Sequence, residues 1–527
     1  MNCKRLIPMA FCLLAVPTAG IAQVNSAQEE YNRFREQAQK DYADFRKQCN
    51  DKYAQFLKEA WESFKAGPVI PKPKDETVPP VVMPIEEQQK PVEPVRVPID
   101  TVVAPPVIEE PKPQPKPVAP IYEVPVPVVT YVQFQFFGAD AKVRVPSLSS
   151  ASGQTDANRA QTNTNNSETS PSAVPAALLA VNTDVSGEAI SAAWLALSNG
   201  DYDNLVRDCL ELRIRYSLCD WAYLLLTRQL ANKYLDGSNN ASTMLSAWIF
   251  CQSGYQMKLG SSGNTLYMLV GTHHMIYDMV GYTLDAEDYY VITDNGQQAP
   301  TSMQICTAEF PGEQPMSLYL PEAQKFPDAL SSARTIKSEK YPQVAMTVSV
   351  NKNLIDFYNT YPTSVLGDNV CSRWAMYANT PMAKNIVDNT YPQLRAAISG
   401  KSQLEAANIL LNWIQTGMVY EYDDKVWGGD RAFFPEETLY YPYCDCEDRA
   451  ILYTRLVRDL LGLKCLLVFY PGHLAAAVCF TESVNGDWIE VGGNKFIITD
   501  PTYINAPVGY TMPDMDNKTA QVIVLDV

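Results

Sequence analysis

The chain lacks several features that define common protein classes. It has only three histidines, and it has no Cys-x-x-Cys pair or Cys/His cluster of the kind that holds structural zinc. Its 42 Lys and Arg residues against 59 Asp and Glu residues give a net charge of −17, which argues against a nucleic-acid binder and against a polybasic membrane-surface protein. Beyond the first residues no apolar run is long enough for a transmembrane anchor. We therefore expect neither nucleic acid nor a membrane span.

The first 22 residues resemble a secretory signal sequence. Lys4 and Arg5 form a charged start, residues 6–16 are apolar, and residues 20–22 read Gly-Ile-Ala, a small-x-small cleavage pattern. The mature chain is then expected to begin at Gln23 and to reside in the periplasm, outside the cell or elsewhere in the cell envelope. Ten of the 12 cysteines remain after cleavage, and their pairing cannot be deduced from the sequence.

Residues 23–66 predict an amphipathic helix, whose apolar stripe over residues 26–66 repeats every 11 residues. This period corresponds to about 3.67 residues per turn, close to that of a straight helix. The stripe could mediate self-association or docking of a partner, or it could pack on its own protein, and the sequence leaves these alternatives open. The repeat consists of Tyr31, Phe34 and Ala38, then Tyr42, Phe45 and Cys49, then Tyr53, Phe56 and Ala60, with Phe64 opening a fourth unit.

Three segments of distinct composition follow. Residues 67–129 contain 18 of the 38 prolines, which predicts a semi-rigid polyproline II spacer or, alternatively, a ligand for a proline-reading domain. Alternating apolar residues over 130–146 predict a β-hairpin. Residues 147–178 are rich in Ser, Thr, Asn and Gln and predict a disordered insert.

The rest of the sequence predicts two folded regions of the α+β class. Residues 179–340 form a middle domain with helices first and short strands later. Residues 341–527 form a C-terminal domain in which a helix packs on an antiparallel sheet. Predicted helices in the middle domain include Ala189–Ser198, Tyr202–Tyr216 and Asp220–Tyr234.

The C-terminal region contains three residues with complementary chemistry. Cys446 opens a leucine-rich helical run, His473 begins a predicted strand, and Asp500 ends another. A thiol becomes a good nucleophile when an imidazole takes its proton, and a carboxylate fixes the tautomer of that imidazole. The helix start should favour the thiolate, whereas Glu447 and Asp448 in the same turn oppose it. The order and spacing predict a Cys-His-Asp triad.

Residues 400–510 resemble the bacterial transglutaminase-like cysteine proteases. The similarity rests on Cys-Glu-Asp-Arg-Ala at residues 446–450, the leucine-rich helix after it, a strand histidine, and Asp-Pro-Thr at residues 500–502. The upstream stretches at residues 420–424, 427–430 and 435–439 are also similar. The resemblance implies a papain-like core, with Cys446 as nucleophile, His473 as general base and acid, and Asp500 as the residue that orients the histidine.

The sequence departs from this family at Cys444, where a glycine is more usual. Cys444 could be a rival nucleophile, a partner of another thiol or a small buried residue, and we favour Cys446 because of its position at the helix start. Family members often place an aromatic or amide side chain in the oxyanion hole, and the candidates are Gln415, Tyr420 and Trp427.

An acidic loop near the predicted triad raises the question of a metal. Asp423, Asp424 and Asp430 could hold Ca²⁺, or they could form a solvated acidic loop, which is the interpretation we favour. The sequence indicates no other cofactor and no transition-metal site.

These features predict an exported cysteine-dependent acyl-transfer enzyme. We expect a protease or amidase that acts on proteins or peptides through a thioester. Two alternatives stay open: protein crosslinking of the transglutaminase type, and a non-catalytic envelope scaffold that uses the domain for docking.

Overall fold

The computed structural model describes residues 47–73, 79–83, 102–103, 130–146, 174–294, 297–309, 313–367 and 370–526. The chain divides into two units, residues 1–52 and Tyr53–Val527. In the first unit only residues 47–52 are described, and they are helical. The predicted signal sequence, most of the 11-residue repeat and residues 147–173 of the predicted insert therefore lie outside the described residues.

Helices of the second unit lie mainly in two stretches of the chain, around residues 176–252 and 352–461. Residues 53–59 are also helical. The bounds of the others are Ala176–Ala180, Gly187–Ser198, Asp203–Tyr216, Asp220–Tyr234, Asn240–Gln252, Lys352–Tyr358, Ser372–Asn379, Lys384–Asn389, Tyr391–Ile398, Gln403–Gly417, Asp423–Val426, Pro435–Tyr440 and Cys446–Leu461. No helix in the described ranges combines the length and the apolarity that a membrane crossing requires.

One six-stranded antiparallel sheet, here called the first sheet, is built mainly from the middle of the chain. Its β-branched and aromatic strands pack on the helices around residues 187–252 and bury residues such as Leu259, Met268 and Val270. Its strand order is Trp61–Lys65, Ser302–Cys306, Met257–Ser262, Thr265–Gly271, Glu287–Ile292 and Gly281–Leu284.

A second six-stranded sheet, here called the second sheet, carries the predicted site. The Cys446–Leu461 helix packs on its central strands, and Gly462 ends this helix in a left-handed conformation at φ 65°. Its strand order is Trp488–Val491, Asn494–Thr499, His473–Cys479, Lys464–Tyr470, Gln521–Val524 and Val102–Val103. Every pair is antiparallel except the last.

Short strand pairs complete the described structure. They join Thr130–Phe136 to Ala139–Val145, His274–Ile276 to Ser364–Leu366, Arg334–Lys337 to Ala345–Val348, and Val419–Tyr420 to Tyr443–Cys444. The first of these is a hairpin within the predicted residues 130–146. The mixture of helices and largely antiparallel sheets makes the protein α+β.

The predicted helix over residues 23–66 ends too late. Residues 47–59 are helical, but Trp61–Lys65 is a strand that pairs with Ser302–Cys306 at the edge of the first sheet. Phe64 therefore packs against the apolar side chains of this sheet instead of opening a fourth helical repeat. The sequence of residues 61–65 has a helical period, but pairing with a strand about 240 residues later determines its conformation.

Two predicted boundaries also need correction. The insert predicted over residues 147–178 ends earlier, because the Ala176–Ala180 helix buries Leu178 in the main core. The boundary predicted between residues 340 and 341 falls inside the hairpin of Arg334–Lys337 and Ala345–Val348. Residues 53–527 form one compact unit with a shared apolar core, so the middle and C-terminal regions are not separate bodies.

The proline-rich stretch is attached to the second unit at three places. The carbonyl of Ile70 accepts a hydrogen bond from the N–H of Asp278 at 2.8 Å, Val82 forms a parallel bridge with Ile504, and Val102–Val103 pairs with Gln521–Val524. The described parts of the predicted semi-rigid spacer over residues 67–129 are therefore held against the rest of the second unit by backbone hydrogen bonds.

Candidate active site

His473 and Asp500 are in direct contact at the centre of the candidate site. His473 is the first residue of its strand, Asp500 directly follows the neighbouring Asn494–Thr499 strand, and Nε2 of the imidazole lies 2.8 Å from Oδ2 of the carboxylate. Both side chains are almost fully buried. The other ring nitrogen, Nδ1, is buried and has no hydrogen-bond partner. A proton on Nε2 therefore leaves Nδ1 as an acceptor.

Cys446 lies on the neighbouring helix, close to His473 in space. It is the first residue of the Cys446–Leu461 helix, and its Sγ accepts a hydrogen bond from the backbone N–H of Leu474, the residue after His473. The Sγ also lies 3.1 Å from Oε2 of Glu447, to which the thiol donates. The Cys446 thiol and Nδ1 of His473 are not hydrogen-bonded in this structure, and catalytic pairs often tighten only when substrate binds.

The environment of Cys446 favours the neutral thiol. Burial raises the pKa of this thiol well above its ordinary value, and the carboxylates of Glu447 and Asp445 raise it further. The N–H of Leu474 lowers it in part. The expectation that the helix start would favour the thiolate is thus outweighed by burial and by neighbouring negative charge, and a base has to remove the proton during any reaction.

Gln415 holds the loop that carries Asp500. Its Nε2 donates to the carbonyl oxygens of Asp500 at 2.9 Å, Tyr503 at 2.7 Å and Ala506 at 3.0 Å. Oδ1 of Asp500 accepts from the N–H groups of Thr502 at 2.8 Å and Tyr503 at 3.1 Å. The amide nitrogen of Gln415 is fully used, so the prediction of Gln415 as an oxyanion donor is wrong and its function is to fix this loop.

Tyr420 and Trp427, the other oxyanion candidates, lie in aromatic surroundings. The guanidinium of Arg449 lies 5.3 Å from the centroid of the Tyr420 ring. Trp427 packs edge-on against Phe433 and beneath the guanidinium of Arg431. Tyr420 is paired in register with Cys444, two residues before Cys446, which brings this part of the chain close to the start of the Cys446–Leu461 helix.

Cys444 is buried among groups that hold the chain in place. It is buried on the Tyr443–Cys444 strand, where Nε of Arg449 lies 3.4 Å from its sulfur and the thiol faces the carbonyl of Val419 at 3.7 Å. The same guanidinium donates to the carbonyl of Met418 at 2.9 Å. These contacts fit the interpretation of Cys444 as a small buried residue. The ten described cysteines, from Cys49 onward, form no disulfide with one another.

A buried acidic cluster lies beside Cys446. Oxygen atoms of Asp423, Asp430 and Glu447 lie within 4.8 Å of one another, and all three residues are buried. Arg373 neutralises Asp430 through two hydrogen bonds of 2.6 Å and 2.8 Å. Asp424 is exposed, whereas Asp423 and Asp430 are buried. The favoured interpretation of Asp423, Asp424 and Asp430 as a solvated acidic loop is therefore wrong for Asp423 and Asp430, and the buried set contains Glu447 in place of Asp424.

Asp445 is a further buried carboxyl group that feels the charge of this cluster. Both of its oxygens are buried without a hydrogen-bond partner, and its pKa is raised well above the ordinary value by burial and then by Glu447, Asp448 and Asp423. Carboxylate oxygens are the ligands that Ca²⁺ prefers. The three clustered carboxylates of Asp423, Asp430 and Glu447 therefore fit a divalent cation, which would relieve the repulsion among them and the nearby buried Asp445.

Several contacts of the site were missed by sequence reasoning. The N–H of Leu474 and the clamp by Gln415 depend on tertiary placement, for which the sequence contains no signal. The Tyr470 ring stacks on the His473 imidazole, with centroids 6.1 Å apart and planes at 12°. This pair could have been found, because Pro471-Gly472 between two predicted strands places Tyr470 opposite His473 across a tight turn.

Comparisons with known proteins identify no relative of this chain. No protein-family model, no curated protein and no solved structure matches it. The functional interpretation therefore depends on the geometry and chemistry of the site itself.

Proposed function

We propose that the protein is a cysteine-dependent acyl-transfer enzyme of the transglutaminase-like type that hydrolyses peptide or amide bonds. The observation that carries the proposal is the buried His473–Asp500 pair, whose 2.8 Å contact leaves Nδ1 unpartnered beside the helix that starts at Cys446. A thiol nucleophile requires an imidazole base whose tautomer is fixed by a carboxylate and whose second nitrogen is free to accept the thiol proton.

The first half-reaction forms a thioester. Cys446 Sγ attacks the substrate carbonyl carbon while its proton passes to Nδ1 of His473, and the positive imidazolium is stabilised by Asp500. His473 then gives this proton to the leaving amine as the carbon–nitrogen bond breaks. Because the resting thiol is neutral, the proton transfer and the attack are coupled, and the barrier depends on how well His473 is held.

The second half-reaction restores the enzyme. Water attacks the thioester carbonyl and gives a proton to Nδ1 of His473, the carbon–sulfur bond breaks, and the sulfur regains the proton from the imidazolium. An amine in place of water would give crosslinking by the same steps. The oxyanion is stabilised by the backbone N–H of Cys446, since the first N–H groups of a helix have no intrahelical partner.

The acidic cluster completes the proposed site. Asp423 and Glu447 would hold a divalent cation such as Ca²⁺, with Asp430 contributing while it also binds Arg373. A bound cation would supply positive charge that offsets carboxylate repulsion next to the nucleophile. The chain's own carboxylates orient the start of the helix, and no step of the reaction passes through the ion.

The proposal is tested by acylation of the purified full chain with a small activated ester. Such a reagent suits a site whose three residues are buried. We expect one acyl group per chain, located on Cys446 by mass spectrometry of tryptic peptides. Cys446→Ala should abolish the labelling, whereas Cys444→Ala, a buried thiol two residues away, should retain it.

The fate of the acyl group distinguishes the alternatives. Release as free acid supports hydrolysis, and transfer to an added primary amine in preference to water supports crosslinking. If the wild-type protein acquires no acyl group under conditions in which free cysteine does, with or without Ca²⁺, the acyl-transfer proposal fails and a docking scaffold becomes the better interpretation.

A further inference from the structure

A short piece of the proline-rich stretch lies along the loop that follows Asp500. The N–H of Ile504 donates to the carbonyl of Val81 at 2.8 Å, and the N–H of Met83 donates to the carbonyl of Ile504 at 2.9 Å. Val82 and Ile504 thereby form a parallel bridge. Residues 81–83 are thus held as an added strand, by hydrogen bonds to both polar groups of one loop residue.

The side chains of this segment alternate as an extended strand requires. Met83 is only 3% exposed and packs with Tyr503, Ala506 and Met512, whereas Val82 is 62% exposed. The docking therefore involves side chains as well as backbone. Met83 lies in an apolar pocket formed mainly by residues of the 503–515 segment.

The pocket is connected directly to the catalytic carboxylate. Tyr503, which contacts Met83, also donates its N–H to Oδ1 of Asp500 at 3.1 Å. Gln415 binds the carbonyls of Asp500, Tyr503 and Ala506 in the same loop. The loop is therefore held by Gln415 from the domain core and by Met83 from a segment some 420 residues earlier in the chain.

We propose that residues 81–83 brace the Asp500 loop, so that Met83 is a positioning residue for Asp500 and, through it, for His473. The inference rests on the proposed function only in the part that gives Asp500 a catalytic role. The proline-rich stretch is then a component of the site and not only a connection, and displacement of residues 81–83 releases the loop.

The test compares Met83→Ser with the matched control Val82→Ser in the full chain. The two positions are adjacent, and only the first side chain is buried. Amide hydrogen exchange at Tyr503 and Ile504 reports whether the loop is braced. Met83→Ser should accelerate this exchange by about tenfold or more, because a buried apolar contact is lost, and Val82→Ser should leave it unchanged.

The NMR signal of the histidine side chain reports whether the brace positions Asp500. The chain has only three histidines, so ¹⁵N-histidine labelling gives few imidazole signals, and His473→Ala assigns the one that matters. The Nε2–H proton shared with Asp500 should be slow to exchange in the wild type and in Val82→Ser. In Met83→Ser it should exchange rapidly or disappear, and Met83→Leu should restore it.

Two results would overturn the inference. One is unchanged exchange at Ile504 in Met83→Ser, which shows that the segment does not hold the loop. The other is faster exchange with an unchanged Nε2–H signal, which shows that the loop is held but Asp500 is not positioned by it. If Met83→Ser lacks a native circular dichroism spectrum, Met83→Ala is used with the same criteria. Neither readout requires turnover, so failure of the proposed enzyme activity leaves this test decidable.

Discussion

Replacing Asp500 by asparagine should force His473 into the wrong tautomer. Oδ1 of Asp500 accepts hydrogen bonds from the N–H groups of Thr502 at 2.8 Å and Tyr503 at 3.1 Å, while Oδ2 faces His473. In Asp500→Asn the amide oxygen must stay with the two N–H donors, because an amide nitrogen there would be a third donor. The NH₂ group then faces Nε2, which has to accept, and the proton moves to Nδ1.

The size of the effect follows from the cost of the opposite amide orientation. Turning the amide over breaks two buried hydrogen bonds and leaves two N–H groups unsatisfied, which costs about 3 kcal/mol. Fewer than about one molecule in 100 would then hold the productive tautomer at equilibrium. We therefore expect the acylation rate of Cys446 to fall by about 10²- to 10⁴-fold, the upper value being typical of a triad with the wrong tautomer.

The assay follows acylation of Cys446 by a small activated ester in the intact protein, under single-turnover conditions, by mass spectrometry. Asp487→Asn is a suitable control. Asp487 is half-buried and its carboxylate accepts a backbone hydrogen bond of 3.1 Å from Thr511, whereas the carboxylate bound to His473 is that of Asp500. The control should acylate at the wild-type rate. Folded Asp500→Asn protein that acylates within threefold of the wild type, about 0.7 kcal/mol, would refute the reasoning.

Three further predictions concern stability and metal binding. Glu436 is buried and its pKa is raised from 4.5 to about 7, chiefly by burial. The folded state therefore binds the proton of this carboxyl group more tightly than the unfolded state does. The contribution of Glu436 to the free energy of unfolding should decline by about 3 kcal/mol as the pH rises from 4.5 to 7. Urea unfolding of Glu436→Gln at these two pH values should lack this decline. Gln415→Leu leaves three carbonyls without their donor and should lower the free energy of unfolding by about 3–5 kcal/mol in urea titrations, and a loss below 1 kcal/mol would contradict the proposed clamp. Ca²⁺ at about 100 times its Kd should stabilise the protein by about 2.7 kcal/mol in thermal unfolding. Asp423→Asn, in the buried cluster, should abolish most of this gain, and Asp424→Asn, at the exposed neighbouring position, should retain it. Equal gains in both variants would argue against the buried cluster as the site.

Helices and strands were predicted correctly where their periodicity and end signals lie within one short stretch of sequence. The helix Asp220–Tyr234 has the bounds that its periodicity predicts, and the helix from Cys446 to Leu461 was expected from its apolar stripe and from Gly462. The placement of His473 at the start of a strand and of Asp500 after another followed from alternating residues and from turn signals. These features require no knowledge of distant partners.

Features that depend on distant partners could not be predicted. Trp61–Lys65 has the period of a helix in sequence, yet its place is decided by a strand ending at Cys306. Burial is the largest cause that raises the pKa of the Cys446 thiol, and this burial arises only when other segments pack around its helix. The amide nitrogen of Gln415 donates to carbonyls of a loop about 90 residues later, which no spacing rule in the sequence indicates.

The strand Trp61–Lys65 has a consequence for how the protein folds. Ribosomes deliver the chain from its N-terminus, so this strand emerges about 240 residues before Ser302–Cys306, the strand with which it pairs. Until then it is an unpaired edge, and its outward Glu62 and Lys65 discourage pairing with other chains. Closing so long a loop contributes to a high contact order and a slow final folding step. Truncating the protein anywhere before residue 306 should therefore leave an aggregation-prone fragment.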